Sequence, residues 1–214
     1  MSRALVIAGC LSGEKNDTGI AALVGELAAA VGADVAVRAR TGGRPVGATL
    51  PDVLAELRDS GVRRALVTTT HVVDGRLQRE AETAARNASP GFESLCLAAP
   101  LLATEKDHAA AASALDAAFP ARPGRVVALA GHRGPECEAA FARLESALAA
   151  AGRPDVLVDS PERLFARLVD RPEREVLLGP FLMSLGAHAR RDVLVDLRAA
   201  LERAAANIHD YHEQ

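Results

Sequence analysis

Three of the six histidines follow short apolar runs, the places where an α/β protein usually keeps its chemistry. His71 comes after Ala65-Leu-Val-Thr-Thr-Thr70, His132 after Val126-Val-Ala-Leu-Ala-Gly131, and His188 after Leu178-Gly-Pro-Phe-Leu-Met-Ser-Leu-Gly-Ala187. Glu162 stands just past a fourth run, Val156-Leu-Val-Asp159. Open α/β sheets bind ligands beyond the carboxyl ends of their strands. A single histidine there is ordinarily structural, because imidazole hydrogen-bonds readily to nearby carbonyls. Convergence changes the reading, since His132, Glu162 and His188 sit on three successive elements of the C-terminal half. Two neutral nitrogens and one oxygen, with coordination positions left open, suit a divalent ion that must be exchanged; a closed four-ligand cage would trap it. No His-x-x-x-His or His-x-x-Glu-His helix motif competes with this trio. His108, in a charged helical stretch, is expected at the solvated surface, and His209 and His212 belong to a polar tail.

Other chemistries lack their motifs. Neither Gly-x-Gly-x-x-Gly nor Gly-x-x-x-x-Gly-Lys-Ser/Thr occurs, so a nucleotide site is not expected. The absence of Gly-x-Ser-x-Gly makes Ser12 and Ser184 poor nucleophiles. Cys10, Cys96 and Cys137 are odd in number and form no Cys-x-x-Cys pair, which argues against a disulfide framework or a thiolate zinc site and for a reducing, cytoplasmic setting. Cys10 is expected as a small buried apolar residue. A net charge of −3, 3% aromatic residues and no Trp exclude the basic, stacking surfaces that nucleic acids require. No apolar run approaches the ~20 residues of a membrane span. Met1-Ser-Arg3 leads straight into the first apolar run, too short for a secretory signal. Lys15 and Lys106 are the only lysines among 25 cationic residues, so an anion site here uses guanidinium forks.

The elements that must position these groups can be read from the same 214 residues, 49% hydrophobic and 25% charged. Runs of Val, Ile and Leu without polar alternation predict strands over 3–9, 34–40, 64–70, 93–97, 125–131, 155–158 and 174–178, covered on both faces. Ala/Leu-rich stretches predict helices over 18–31, 51–60, 76–87, 106–119, 136–151, 161–169 and 188–206. Strands alternating with helices give an α/β fold with parallel sheets. Pro120-Ala-Arg-Pro-Gly124 reads as a linker between an N-terminal lobe, 1–120, and a C-terminal lobe, 125–214. An internal echo supports two lobes. Arg3-Ala-Leu-Val-Ile-Ala-Gly9 matches Arg125-Val-Val-Ala-Leu-Ala-Gly131, Asp34-Val-Ala-Val37 matches Asp155-Val-Leu-Val158, and 64–75 matches 175–186 in the same order. Duplication into two similar three-layer lobes around a central cleft is the expectation. The Ala-rich helix over 109–118 leaves a homo-oligomer open.

At these residues the chain resembles the anaerobic cobalt chelatases, or sirohydrochlorin cobaltochelatases, of the class II chelatase superfamily. Leu178-Gly-Pro-Phe-Leu-Met-Ser-Leu-Gly-Ala-His188-Ala189 is similar to the family's Pro-Phe-Met-x-Val-Ala-Gly-Asp-His-Ala, and Ala128-Leu-Ala-Gly-His132 to its Met-Gly-His segment. Val156 to Glu162 matches a strand followed by a glutamate, Val67 to Gly75 a Gln-x-Leu-His-x-x-x-Gly stretch, and Arg38-Ala-Arg-Thr41 an Ala-Phe-Thr-Ser stretch. The resemblance implies a pseudo-symmetric two-lobed fold and insertion of a divalent metal, Co²⁺ first and Ni²⁺ or Fe²⁺ next, into sirohydrochlorin or a related tetrapyrrole without ATP. It implies His132, Glu162 and His188 as metal ligands and His71 as a histidine lining the substrate site. A carboxylate-rich substrate would use nearby guanidinium groups, Arg133 first; Arg40, Arg44, Arg76, Arg190 and Arg191 are the others. Three positions depart from the pattern: Arg133-Gly134 where the family has Gly-Thr, Ala187 where it has aspartate, and Ala8-Gly9-Cys10 for its Phe-Gly-Thr/Ser loop. A divergent metalloenzyme acting on another metabolite, or a non-catalytic metal or tetrapyrrole binder, is the alternative expectation.

Overall fold

The computed structural model describes residues 2–9, 18–42, 47–169, 171, 175–183 and 195–204. In chain order these form β1 (Arg3–Gly9), α1 (Thr18–Val31), β2 (Val35–Arg40), α2 (Leu50–Asp59), β3 (Arg64–Thr69), α3 (Arg76–Ala88), β4 (Ser94–Leu97), α4 (Glu105–Ala118), β5 (Arg125–Ala130), α5 (Pro135–Ala150), β6 (Val156–Asp159), α6 (Pro161–Leu168) and β7 (Glu175–Pro180). Residues 195–204 are helical again. No helix among the described residues is long and apolar enough to cross a membrane.

The strands form two sheets, both wholly parallel: β2-β1-β3-β4 and β6-β5-β7. Each has its first strand in the centre, the second on one side and the third on the other. β1 is buried from Ala4 to Gly9, and every residue of β5 is buried, Arg125 included. That burial explains why both read as unbroken apolar runs. The duplicated order therefore reappears as duplicated topology. Register agrees too: Arg3 faces Arg64 as Arg125 faces Glu175. In the second strand the match slips by one residue, for Leu5 faces Ala36 while its counterpart Val127 faces Val156.

Stepping from β1 to β2 and then back across β1 to β3, with right-handed crossovers, puts the two connecting helices on opposite faces. In the first sheet Ala4, Val6 and Ala8 pack with Leu50, Val53, Leu54 and Leu57 of α2 and Ala81 of α3. In the second, Val126, Ala128 and Ala130 pack with Leu164 and Leu168 of α6 and with Leu197. The other face of β5 meets α5, as the Phe141 ring beneath Gly131 shows. Helix starts are chemically explicit. Thr49 and Asp52 form a reciprocal capping box on α2, and Thr104 and Asp107 form another on α4.

The chain divides into Met1–Ala103 and Thr104–Gln214. The division falls before α4, ahead of the 120–124 segment, because α4 packs along α5. Buried Arg153, just past α5, holds Asp116 of α4 at 2.5 Å and Asp155 at 2.8 and 2.9 Å. His108 corrects a sequence expectation for the same reason. It is 2% exposed rather than solvated, and its Nδ1 donates to the Thr104 carbonyl at 2.7 Å. The charged neighbours Lys106 and Asp107 that suggested a wet surface lie off the face that carries His108 and Ala112 inward.

Candidate functional site

In the second unit the carboxyl ends of β5, β6 and β7 lie side by side. Ala130 of β5 faces Asp159 of β6 and Pro180 of β7, so the chain leaves three neighbouring strands at one level. His132 follows two residues past Ala130, and Glu162 lies in the first turn of α6, three past Asp159. His188, eight past Pro180, lies outside the described residues, as do Cys10, Arg44, Ala187, Arg190 and Arg191.

The loop carrying His132 is shaped from below. A Cβ on Gly131 would sit 2.4 Å from the Phe141 ring, so no side chain fits there. Phe141 in turn packs edge-on to Phe181, with centroids 5.8 Å apart at 80°. Phe181 donates its backbone N–H to the Ala130 carbonyl at 2.8 Å. Gly134, with φ at +123°, turns the chain into α5, whose first residue is Pro135. His132 presents an open edge to solvent, yet the protein around it excludes enough water to lower its pKa. Desolvation favours the neutral ring, the form that binds metals.

Glu162 is held by Arg133, the residue after His132. Arg133 Nε donates to Glu162 Oε2 at 2.8 Å, and Nη2 donates to Oε1. This fork, helped by the Ser160 hydroxyl and opposed by burial, leaves the Glu162 carboxyl below the ordinary carboxylate range. Both shifts favour the protonation states in which these two groups could hold a metal. Among the described residues, no three His, Cys, Asp or Glu side chains gather as a metal site would require. The fork brings Glu162 to the loop of His132, and the trio as a whole extends beyond the described residues.

Sequence reasoning missed what fixes α6. Asp159 is buried at the end of β6, and its Oδ1 accepts the Ser160 N–H at 2.9 Å. Its Oδ2 accepts from Arg163 Nε at 3.0 Å and Arg167 Nη1 at 3.3 Å. Arg167 also forks Glu145 of α5 at 2.9 and 3.0 Å, while Glu145 accepts the Val158 N–H at 2.7 Å. The Asp159-Arg163-Arg167 spacing of four was the available signal, since it stacks the cations above the strand-end acid.

The first unit has its own polar chain at the carboxyl ends of β2, β3 and β4. His71 Nδ1 donates to Gln78 Oε1 at 3.2 Å, and Thr69 Oγ1 donates to the same oxygen at 2.8 Å. Gln78 Nε2 donates to the Ala98 carbonyl at 3.3 Å. His71 Nε2 lies 2.9 Å from Thr41 Oγ1. With Nδ1 protonated, the neutral ring accepts the threonine proton at Nε2. Gln78, 1% exposed on α3, was not foreseen, and Thr41 was named only as the end of the Arg38–Thr41 stretch; the spacing of Gln78 with Ala81 and Ala85, three and seven residues on, was the hint that Gln78 turns inward. Arg40 donates from Nη1 to the Gly42 carbonyl at 3.1 Å and from Nε to the Gly47 carbonyl at 3.4 Å. Its guanidinium therefore braces the loop it borders.

A family model described as Cobalt chelatase (CbiK) matches residues 39–206. Among solved structures, the chain is similar to the sirohydrochlorin chelatase SirB from Bacillus subtilis subspecies spizizenii in complex with cobalt. The TM-score is 0.57 at 15% identity, over 94% of this chain and 96% of that one. It is also similar to SirB from Bacillus subtilis with Fe³⁺, with a TM-score of 0.62 at 15% identity, over 96% of this chain and 84% of that one. At such identity these likenesses concern the fold, an α/β arrangement with two parallel sheets. No curated protein sequence matches the chain.

Proposed function

The chain belongs to the cobalt chelatase family, and from that premise we propose that it inserts a divalent metal, Co²⁺ first and Ni²⁺ or Fe²⁺ as alternatives, into sirohydrochlorin or a related tetrapyrrole in the cytoplasm. The supporting observation is the shared level of Ala130, Asp159 and Pro180. It starts the segments leading to His132, Glu162 and His188 from adjacent strand ends. Two imidazoles and a carboxylate hold a borderline dication through ligands that exchange. Insertion exchanges one dication for two pyrrole protons, so the site must accept protons as well as deliver metal. A neutral imidazole does both, and desolvation keeps His132 neutral. Glu162 contributes the negative charge that favours a dication and takes the second proton. Arg133 is the nearest guanidinium for substrate carboxylates. Arg40 and His71, at the strand ends of the first unit, are the proposed polar contacts there.

The test is turnover. Purified protein with sirohydrochlorin and Co²⁺ should form cobalt product well beyond one equivalent, followed by absorbance. His132→Ala and His188→Ala should each abolish it while leaving far-UV circular dichroism unchanged. Product stopping at one equivalent would mark a binder, and metal binding without any tetrapyrrole binding would mark a different substrate.

A further inference from the structure

Arg133 directly precedes Gly134, and its Nε and Nη2 donors face the two oxygens of a proposed metal ligand, Glu162. Resting on the ligand set proposed above, we infer that Arg133 is an internal cation that competes with the metal for Glu162, so that the ion is held loosely enough to be passed on. A bidentate fork engages both carboxylate oxygens, so a metal reaching Glu162 displaces at least one guanidinium donor. The strength of the pair decides whether it locks the site or only fills it. Both side chains are more than half exposed, at 64% and 58%. Ion pairs this open contribute little and exchange readily, which makes Arg133 a removable placeholder. Glu162 itself stays put, because Asp159, Arg163, Arg167 and Glu145 anchor α6 independently of Arg133. The metal-free carboxylate is thereby kept in place, and metal entry becomes an exchange of one cation for another.

The experiment titrates the full chain with Co²⁺ alone by calorimetry and follows release into a chelator by stopped flow. Arg133→Ala should bind Co²⁺ about fivefold more tightly and release it correspondingly more slowly. Arg133→Lys, which keeps the charge and loses the fork, should fall between the two. Glu162→Gln should bind Co²⁺ more weakly, and adding Arg133→Ala to it should recover less than twofold. Equal or weaker Co²⁺ binding by both Arg133 variants, with Glu162→Gln still weakened, overturns the competition and leaves the ligand assignment standing. Unchanged binding in Glu162→Gln overturns the assignment and the inference together. A gain in affinity on removing a side chain is not something a merely structural role produces.

Discussion

Gly131 has to be glycine for a reason that lies in another element. The Phe141 ring occupies the space a Cβ would need, so Gly131→Ala must push back either the ring or the strand end that aims His132. Overpacking of this kind costs about 1–3 kcal/mol. The expected outcome is a lower thermal midpoint together with weaker Co²⁺ binding, measured on the same preparation. Gly9 closes β1 and Gly131 directly follows β5; at Gly9 a Cβ would lie 1.9 Å from Thr70 Oγ1. The two glycines share a position and are required by different neighbours. His132 itself should titrate below the ordinary histidine range near 6.5, because desolvation opposes its charged form. Its ring therefore stays neutral, and able to ligate, at pH values where a solvated histidine is already charged. Proton resonances of the metal-free protein report this directly, and His132→Ala assigns them.

Among elements, α4 and α5 are joined through one buried cation. Arg153, 4% exposed, has Asp155 and Asp116 as its partners. The Arg153 hydrogen bonds hold the Asp155 carboxyl below its ordinary value, against the opposing effect of burial. Between that lowered value and the unfolded value near 3.9, the unfolded chain binds more protons than the folded one. Stability therefore rises with pH across that window; the contribution is complete above the unfolded value and is lost as pH falls through the folded one. Arg153→Ala should lower stability by about 2 kcal/mol at neutral pH and flatten the acid limb. Urea midpoints at pH 7 and pH 3 check both, with the m-value as a guard against a changed unfolded state.

At the scale of the molecule, the two units carry separate apolar cores. Leu54, fully buried, belongs to the core of the first unit, and Leu164, also fully buried, to that of the second. Leu54→Ala should cost about 2–5 kcal/mol. By amide exchange, the loss of protection should concentrate in β1 to β4, while β5 and β6 keep theirs. Leu164→Ala should give the converse pattern. A uniform loss throughout both sheets in either variant would show one cooperative core.

What the amino-acid sequence determined by itself was the element order, the parallel α/β class and the doubling. Those depend on local periodicity: Val126-Val-Ala-Leu-Ala130 reads as a buried strand wherever it is met, and its likeness to Ala4-Leu-Val-Ile-Ala8 survives translation along the chain. The candidate ligands could be proposed from the sequence too, because strand ends are where a parallel sheet exposes polar groups. Only the tertiary structure decided who touches whom. Arg133 on Glu162, Gln78 under His71, Arg153 on Asp116 and the inward turn of His108 all join residues whose adjacency depends on how helices lie on sheets. Sequence spacing holds no record of that geometry, since a long side chain can serve solvent, substrate or neighbour equally well until packing removes the choice.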